Sequence, residues 1–291
     1  MSNLNNFDFM SSENFFNSDL ALERRRADTT IEGVEYKRDV CLGGIWERLK
    51  ITSEEGEKSI GRPIGLYDTL TVTRMDSITP EDIEDAKDEV SRELCRICDL
   101  CDIMPGRILV VGLGNRELTP DSLGPLAAGE VEATMHIKEA NEEFFETLGC
   151  SEIATICPDV TANTGLNTAD IVRGVCKITH PDVVFAIDSL ASRSPERLGN
   201  TIQVSSTGIF PGTGLGSHPG CAINESLVGV PVIAIGVPTV INSGAFSEAA
   251  SRNSRKNTGM FLSPKGIDRI VKNAAKIVGG GINQAFGICY F

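Results

Sequence analysis

The 291-residue sequence predicts an α/β protein with a mostly parallel central sheet, helices on both faces and a small β-rich subregion at about residues 27–75. Three observations predict it. Ile108-Leu109-Val110-Val111 and Val183-Val184-Phe185-Ala186-Ile187 are apolar runs of strand length, as in strands buried on both faces. From residue 79 onward such runs alternate with stretches of helical periodicity, the pattern of a parallel sheet wrapped by helices. Each of the two runs also delivers an acid at or beyond its carboxyl end, Asp121 by way of Gly112-Leu113-Gly114-Asn115 and Asp188 directly. Open α/β sheets bind their ligands at that end.

Composition narrows the class. A hydrophobic content of 41% suffices for a full core, and no apolar run approaches the roughly 20 residues that span a bilayer. The first 30 residues carry Asp, Glu and Asn where an export signal needs an apolar centre, so a cytoplasmic location without membrane attachment is expected. Nine cysteines, an odd number, then read as reduced thiols. A net charge of −13 argues against nucleic acid as a direct partner, because binding a phosphate backbone needs clustered Lys and Arg.

In chain order, residues 1–19 form a polar segment rich in Asn, Ser and Phe, expected to be mobile or loosely docked, and residues 20–291 form a single α/β domain. Ser18 or Asp19 is positioned to cap a helix whose arginines, Arg24, Arg25 and Arg26, face solvent. Alternating polar and β-branched residues up to residue 72, with turns at Gly43-Gly44 and Gly61-Arg62-Pro63-Ile64-Gly65, supply the short strands of the β-rich subregion. Thr79-Pro80-Glu81-Asp82 opens a helix with stripe residues Ile83, Ala86, Val90, Leu94, Ile97 and Cys101. Cys95, Cys98 and Cys101 on that helix have the spacing of a metal motif but no evident fourth ligand, and read as small core residues.

Residues 123–135 repeat apolar side chains at helical spacing, so Asp121 lies between a strand and a helix, which it or Ser122 could cap. Gly112-Leu113-Gly114 begins like a dinucleotide fingerprint, but Glu117 stands at the third glycine position, and no P-loop lysine follows; no cofactor is expected. A strand at 153–157, a loop at 158–165 and a helix at 169–176 follow. Beyond Asp188 come a strand at 201–204, a glycine-rich loop at 207–216, a strand at 230–237 and a polar connection at 243–258. Ser263-Pro264 is expected to start a terminal helix that Gly279-Gly280-Gly281 ends. Gly114, Asn115, Gly212 and Gly214 are candidates for close backbone approach to a peptide.

Two aspartates at neighbouring strand ends can divide the labour of hydrolysis. Proximity raises the pKa of one, which keeps its proton to polarise the carbonyl or protonate the leaving amine, while the other ionises and activates water. The competing chemistry is a divalent metal held by Asp121, Asp188 and His218, whereas His136, within the helix expected after Asp121, and His180, at the start of the next strand, read as structural. A Gly-x-Ser-x-Gly elbow is absent, and no Cys stands beside an obvious His partner.

Gly112-Leu113-Gly114-Asn115 with Thr119-Pro120-Asp121, Ala186-Ile187-Asp188-Ser189-Leu190, Thr201-Ile202-Gln203, Thr207-Gly208-Ile209 with Pro211-Gly212, and the run from Pro231 to Val240 together resemble the germination protease family of spore-forming bacteria. The resemblance runs in order from about residue 19 to 241 and resumes at Leu262-Ser263-Pro264-Lys265. It implies a three-layer phosphorylase/hydrolase-like sandwich, similar to hydrogenase-maturation endopeptidases. It also implies an endopeptidase that degrades small acid-soluble spore proteins at germination, is made as a zymogen in the forespore, and assembles as a homotetramer. The family's catalytic aspartates fall on Asp121 and Asp188, and residues 1–19 become a pro-segment. Ser18-Asp19-Leu20-Ala21-Leu22-Glu23 matches the family's cleavage pattern of acid, large apolar, Ala, any residue, acid, which puts self-processing between Asp19 and Leu20. An acid before the cut calls for a positive subsite, for which Arg193 and Arg197 are candidates. The alternatives are a metal-dependent maturation-type peptidase and a non-enzymatic peptide-binding protein.

Overall fold

The computed structural model describes residues 18–25, 30–209, 222–242 and 261–288. In the first third, strands β1 (Val34–Cys41), β2 (Gly44–Ile51) and β3 (Gly65–Thr71) flank helix α1 (Glu54–Ile60) and are followed by α2 (Pro80–Leu100). Then come β4 (Arg107–Gly112), α3 (Leu123–Glu130), α4 (Met135–Ala140), α5 (Glu142–Thr147), β5 (Glu152–Ile156), α6 (Thr161–Thr164) and α7 (Thr168–Thr179). The last third holds β6 (Val183–Ser192), β7 (Thr201–Ser205), α8 (Glu225–Val228), β8 (Val232–Asn242), β9 (Phe261–Leu262) and α9 (Ile267–Phe286).

Among the described residues the strands form one sheet ordered β1-β2-β3-β7-β8-β6-β4-β5, with β9 beside β8. Its two halves differ. β8, β6, β4 and β5 run parallel, as the apolar runs predict, while β1, β2, β3 and β7 are antiparallel. The β-rich subregion is thus an extension of the main sheet, joined to it by β3 pairing with β7.

Alternation along β6 divides the core. Val183, Phe185 and Ile187 pack with α2, α3 and α9, whereas Val184 and Ala186 pack with α7 on the other face. Asp188 continues the second set and so opens on the α7 side. On β7, Ile202 and Val204 belong to the first face, which leaves Gln203 on the side of Asp188.

Helix α2 begins as the sequence predicts: Thr79 accepts from the Asp82 N–H, Asp82 answers to the Thr79 N–H, and Ala86, Val90, Leu94 and Ile97 are fully buried. Its cysteines differ from the expectation. Cys98 is buried, but Cys95 and Cys101 are exposed, because a spacing of three over two turns carries them past the edges of the stripe.

Three further expectations are corrected. The helix at 123–135 breaks at Val131, which is extended, and His136 lies in the separate α4. His180 caps α7 in the left-handed region at φ 46° instead of starting a strand. The terminal helix starts after Gly266, and Gly279-Gly280-Gly281 lie inside it. A Cβ at Gly279 would lie 2.7 Å from the Ala127 carbonyl oxygen and one at Gly281 would lie 2.7 Å from Val90, so these glycines let α9 press against α3 and α2.

Candidate active site

The strand ends are drawn together by glycine. A Cβ at Gly124, at the start of α3, would meet the carbonyl oxygens of Leu113 and Ile187 at 2.2 and 2.4 Å. Helix α3 therefore sits directly on the ends of β4 and β6, and the Leu113 N–H donates to the Ile187 carbonyl at 2.8 Å. This contact carries the Asp121 turn to the side of Asp188. Gly114, at φ 105°, faces the Asp121 backbone so closely that a Cβ would fall 2.1 Å from its carbonyl oxygen. The next residue, Asn115, donates its backbone N–H to Asp121 Oδ2 at 2.8 Å. Gly114 and Asn115 thus shape the seat of Asp121.

The two carboxyl groups differ in environment. Burial holds Asp188 well above the usual carboxylate range, the charge of Asp121 pushes it further, and only the Ser189 N–H opposes. Burial also raises Asp121, but the Asn115 N–H pulls it back, so Asp121 is the group to ionise first. Asp159 acts on Asp121 as well. It stands after β5 at φ 62°, with its carboxylate accepting from the Val160 N–H and the Asn163 amide. The sequence reading placed Asp159 in a plain loop, although it is a third acid at a strand end.

A stretch of the chain itself occupies this cleft. Ser18 is buried and Asp19 half-buried, Leu20 and Ala21 have no exposed surface, and residues 21–24 form a single 3-10 turn, not the capped helix expected. The Asp19 N–H donates to the Ala191 carbonyl, and the Ala191 N–H donates to Asp19 Oδ2, each at 2.9 Å. The Ser18 carbonyl accepts from the guanidinium groups of Arg62 at 3.0 Å and Arg24 at 3.3 Å. Arg24 is consequently turned inward, and burial, with Arg62 and Arg193 nearby, lowers its pKa to about 10.

Each residue of the Asp-Leu-Ala-x-Glu pattern meets a matching surface. Arg62 lies 3.7 Å from Asp19 Oδ1. Leu20 enters the apolar layer with Leu190, Ile209 and Ile223. The Ala21 N–H donates to Gln203 Oε1 at 2.9 Å. Glu23 is gripped by the Ser192 hydroxyl at 2.6 Å and by the Arg193 and Ser194 N–H groups at 2.7 and 3.1 Å. Arg193 therefore engages the second acid through its backbone, and Arg197 is held by Glu47 at 3.2 Å. Arg62 faces Asp19, and Arg24 lies within the field of the same carboxylate. No local signal marked Arg62, because the β3–β7 pairing brings it from the antiparallel half of the sheet. Gly212, Gly214 and His218 lie outside the described residues, as does the connection at 243–258. Among the described residues no group of three or more His, Cys, Asp or Glu side chains could hold a metal ion.

A peptide segment anchored along the edge of an α/β cleft, with carboxyl groups of unequal acidity beside it, is an arrangement that suits a peptidase. Comparison with known proteins is specific. A family profile described as germination protease matches residues 13–251. A germination protease of Caldanaerobacter subterraneus subsp. tengcongensis is 35% identical, over 92% of this chain and 93% of that protein. One from Clostridium perfringens is 32% identical over 92% and 94%, and one from a Geobacillus species 39% over 76% and 59%. The chain belongs to the germination protease family. A solved nickel–iron hydrogenase maturation protease from Thermococcus kodakarensis aligns over 64% of this chain and 99% of its own, with 15% identity and a TM-score of 0.34. No helix among the described residues is long and apolar enough to cross a membrane.

Proposed function

We propose that this chain is an endopeptidase of spore germination that degrades small acid-soluble spore proteins in the spore core. We infer further that it is made as a zymogen in the forespore, removes its own residues 1–19 by cutting between Asp19 and Leu20, and works as a homotetramer. The single observation that carries the processing reading is the seating of residues 18–24 in the cleft, with Asp19 close enough to add its charge to the field at Asp188. A segment bound this way is a substrate presented in cis.

The chemistry follows from the unequal acids. Ionised Asp121 takes a proton from water as the water oxygen bonds to the Asp19 carbonyl carbon, and the carbonyl π pair moves onto its oxygen. When that pair returns, the bond to the Leu20 nitrogen breaks and the nitrogen takes the proton of Asp188. The products are a carboxyl group at Asp19 and an amine at Leu20, and a proton passing from Asp121 to Asp188 restores the site. The substrate class follows from the same sockets: an acid against Arg62, a large apolar residue, Ala, and a second acid in the cradle at 192–194.

The test is incubation of the full chain, alone and with a small acid-soluble spore protein, from about pH 5 to about pH 8, followed by fragment sequencing. Expected are a new terminus at Leu20, cuts after acids in the substrate, and loss of both in Asp121→Asn and Asp188→Asn with the fold intact. Cleavage that persists in both variants ends the aspartate reading. Activity abolished by chelator and restored by one divalent ion replaces it with the metal site built on Asp121, Asp188 and His218.

A further inference from the structure

Gln203 has both ends of its side-chain amide on one short piece of backbone. Its Oε1 accepts from the Ala21 N–H at 2.9 Å, and its Nε2 donates to the Asp19 carbonyl oxygen at 3.4 Å. Only one orientation of the amide satisfies both partners, an acceptor for an N–H and a donor for a carbonyl. The residue is 7% exposed, so these contacts form away from bulk water, where a donor acts strongly on a developing charge.

Sheet register places this amide opposite the acids. Asp188 on β6 and Gln203 on β7 pair with the same residue, Gly236 on β8, from either side. Paired residues on neighbouring strands point to the same face, so the two side chains bracket a strip above β8 at one level. Gly236 keeps that strip low: a Cβ there would lie 2.5 Å from Leu190, whose side chain covers the bare backbone.

We propose that Gln203 is a further catalytic residue, the donor that stabilises the oxyanion formed on the carbonyl of the residue before the cut. In the step above, Asp121 deprotonates the water and Asp188 protonates the leaving nitrogen, and neither is assigned to the oxygen that receives the carbonyl π pair. Gln203 Nε2–H meets that oxygen, and the Oε1 contact to Ala21, two residues later, fixes the peptide so that the carbonyl stays in place. The contact to the planar carbonyl is long, so there is room for it to tighten as negative charge grows, the difference that accelerates a reaction.

This inference rests on the proposed cut between Asp19 and Leu20. It is tested with the full-length chain carrying Gln203→Glu or Gln203→Met, beside the parent and Asp121→Asn. Cleavage of the Asp19–Leu20 bond is followed by fragment mass, and turnover is measured with a synthetic peptide of residues 16–25. Gln203→Glu keeps the acceptor for the Ala21 N–H and loses the donor; Gln203→Met loses both and carries no charge. Expected is a fall in kcat of roughly 10²–10³-fold in both, with KM raised in the Met variant only. A kcat of Gln203→Glu within about tenfold of the parent, or a loss confined to KM, overturns the inference, and this readout stands even if the Met variant unfolds. Slow Gln203→Glu beside a fully active Asp121→Asn keeps the inference and removes the aspartate reading, whereas the converse removes the inference alone. A parent that cuts neither its own chain nor the peptide overturns both.

Discussion

Two pairs of carboxyl groups, all buried except the half-buried Asp121, lie on opposite faces of the same sheet, and their surroundings differ in one respect. Asp68 on β3 and Glu93 on α2 share two guanidinium groups: Arg96 bonds both, and Arg48 bonds Glu93 at 2.8 Å. Asp121 and Asp188 have only backbone N–H groups as hydrogen-bond donors among the described residues. Burial raises Asp68 to about 8, with Glu93 adding to it. Burial acts on Glu93 too, but hydrogen bonds from Arg96, Asp68 and Arg48 outweigh it and keep Glu93 ionised. One pair holds its proton between cations and ties β2, β3 and α2 together; the other holds its proton beside the cleft with no cation bonded to it. Buried acids matter for chemistry here where countercharge is missing, not where it is abundant.

The largest test of that contrast is Asp188→Asn, expected to lower cleavage roughly 10²–10⁴-fold. Unfolding in urea should show its stability at neutral pH unchanged or raised, since an amide never takes up charge in that site. Glu93→Gln should do the reverse, leaving cleavage competence in the folded fraction while costing about 3 kcal/mol, because Arg48 and Arg96 lose their anion. Equal loss of activity in both variants at matched stability would erase the distinction. Gly114→Ala comes next: the left-handed backbone and the clash with Asp121 should cost about 1–3 kcal/mol and slow cleavage by displacing that carboxyl group.

The smallest effect at neutral pH is expected from Asp68→Asn, which mimics the protonated acid, but its pH dependence is diagnostic. A folded-state pKa of about 8 means that the native protein holds a proton the unfolded chain releases near pH 4. Stability from this group is therefore full below about pH 4 and declines as pH rises toward about 8. Asp68→Asn should flatten that decline in melting temperature measured across the same range, and an unchanged slope would show that Asp68 is not the group responsible.

The parallel half of the molecule was legible because its strands announce themselves: β4 and β6 are uninterrupted apolar runs, and each carries its acid within the same local stretch. The capping of α2 by Thr79 was legible for the same reason, since its signal spans four residues. Gln203, Arg62 and Asp159 were not. Gln203 sits in a strand whose alternation shows that it leaves the apolar face but not what it meets, and Arg62 reaches the cleft through a pairing between strands more than a hundred residues apart. The glycines of α9 were misread as a stop because propensity is a local quantity, while the close approach of α2 and α3 that they serve is a property of the assembled core.

Those same three glycines bear on how the last helix holds together. Each glycine in a helix interior costs about 0.8–1 kcal/mol relative to alanine, so the run at 279–281 penalises α9 by about 2–3 kcal/mol before any packing. As an isolated peptide this stretch would stay largely coil. Its amides should resist hydrogen exchange only while α2 and α3 are in place, which makes the carboxyl-terminal end of the fold a dependant of helices formed about 150 to 190 residues earlier.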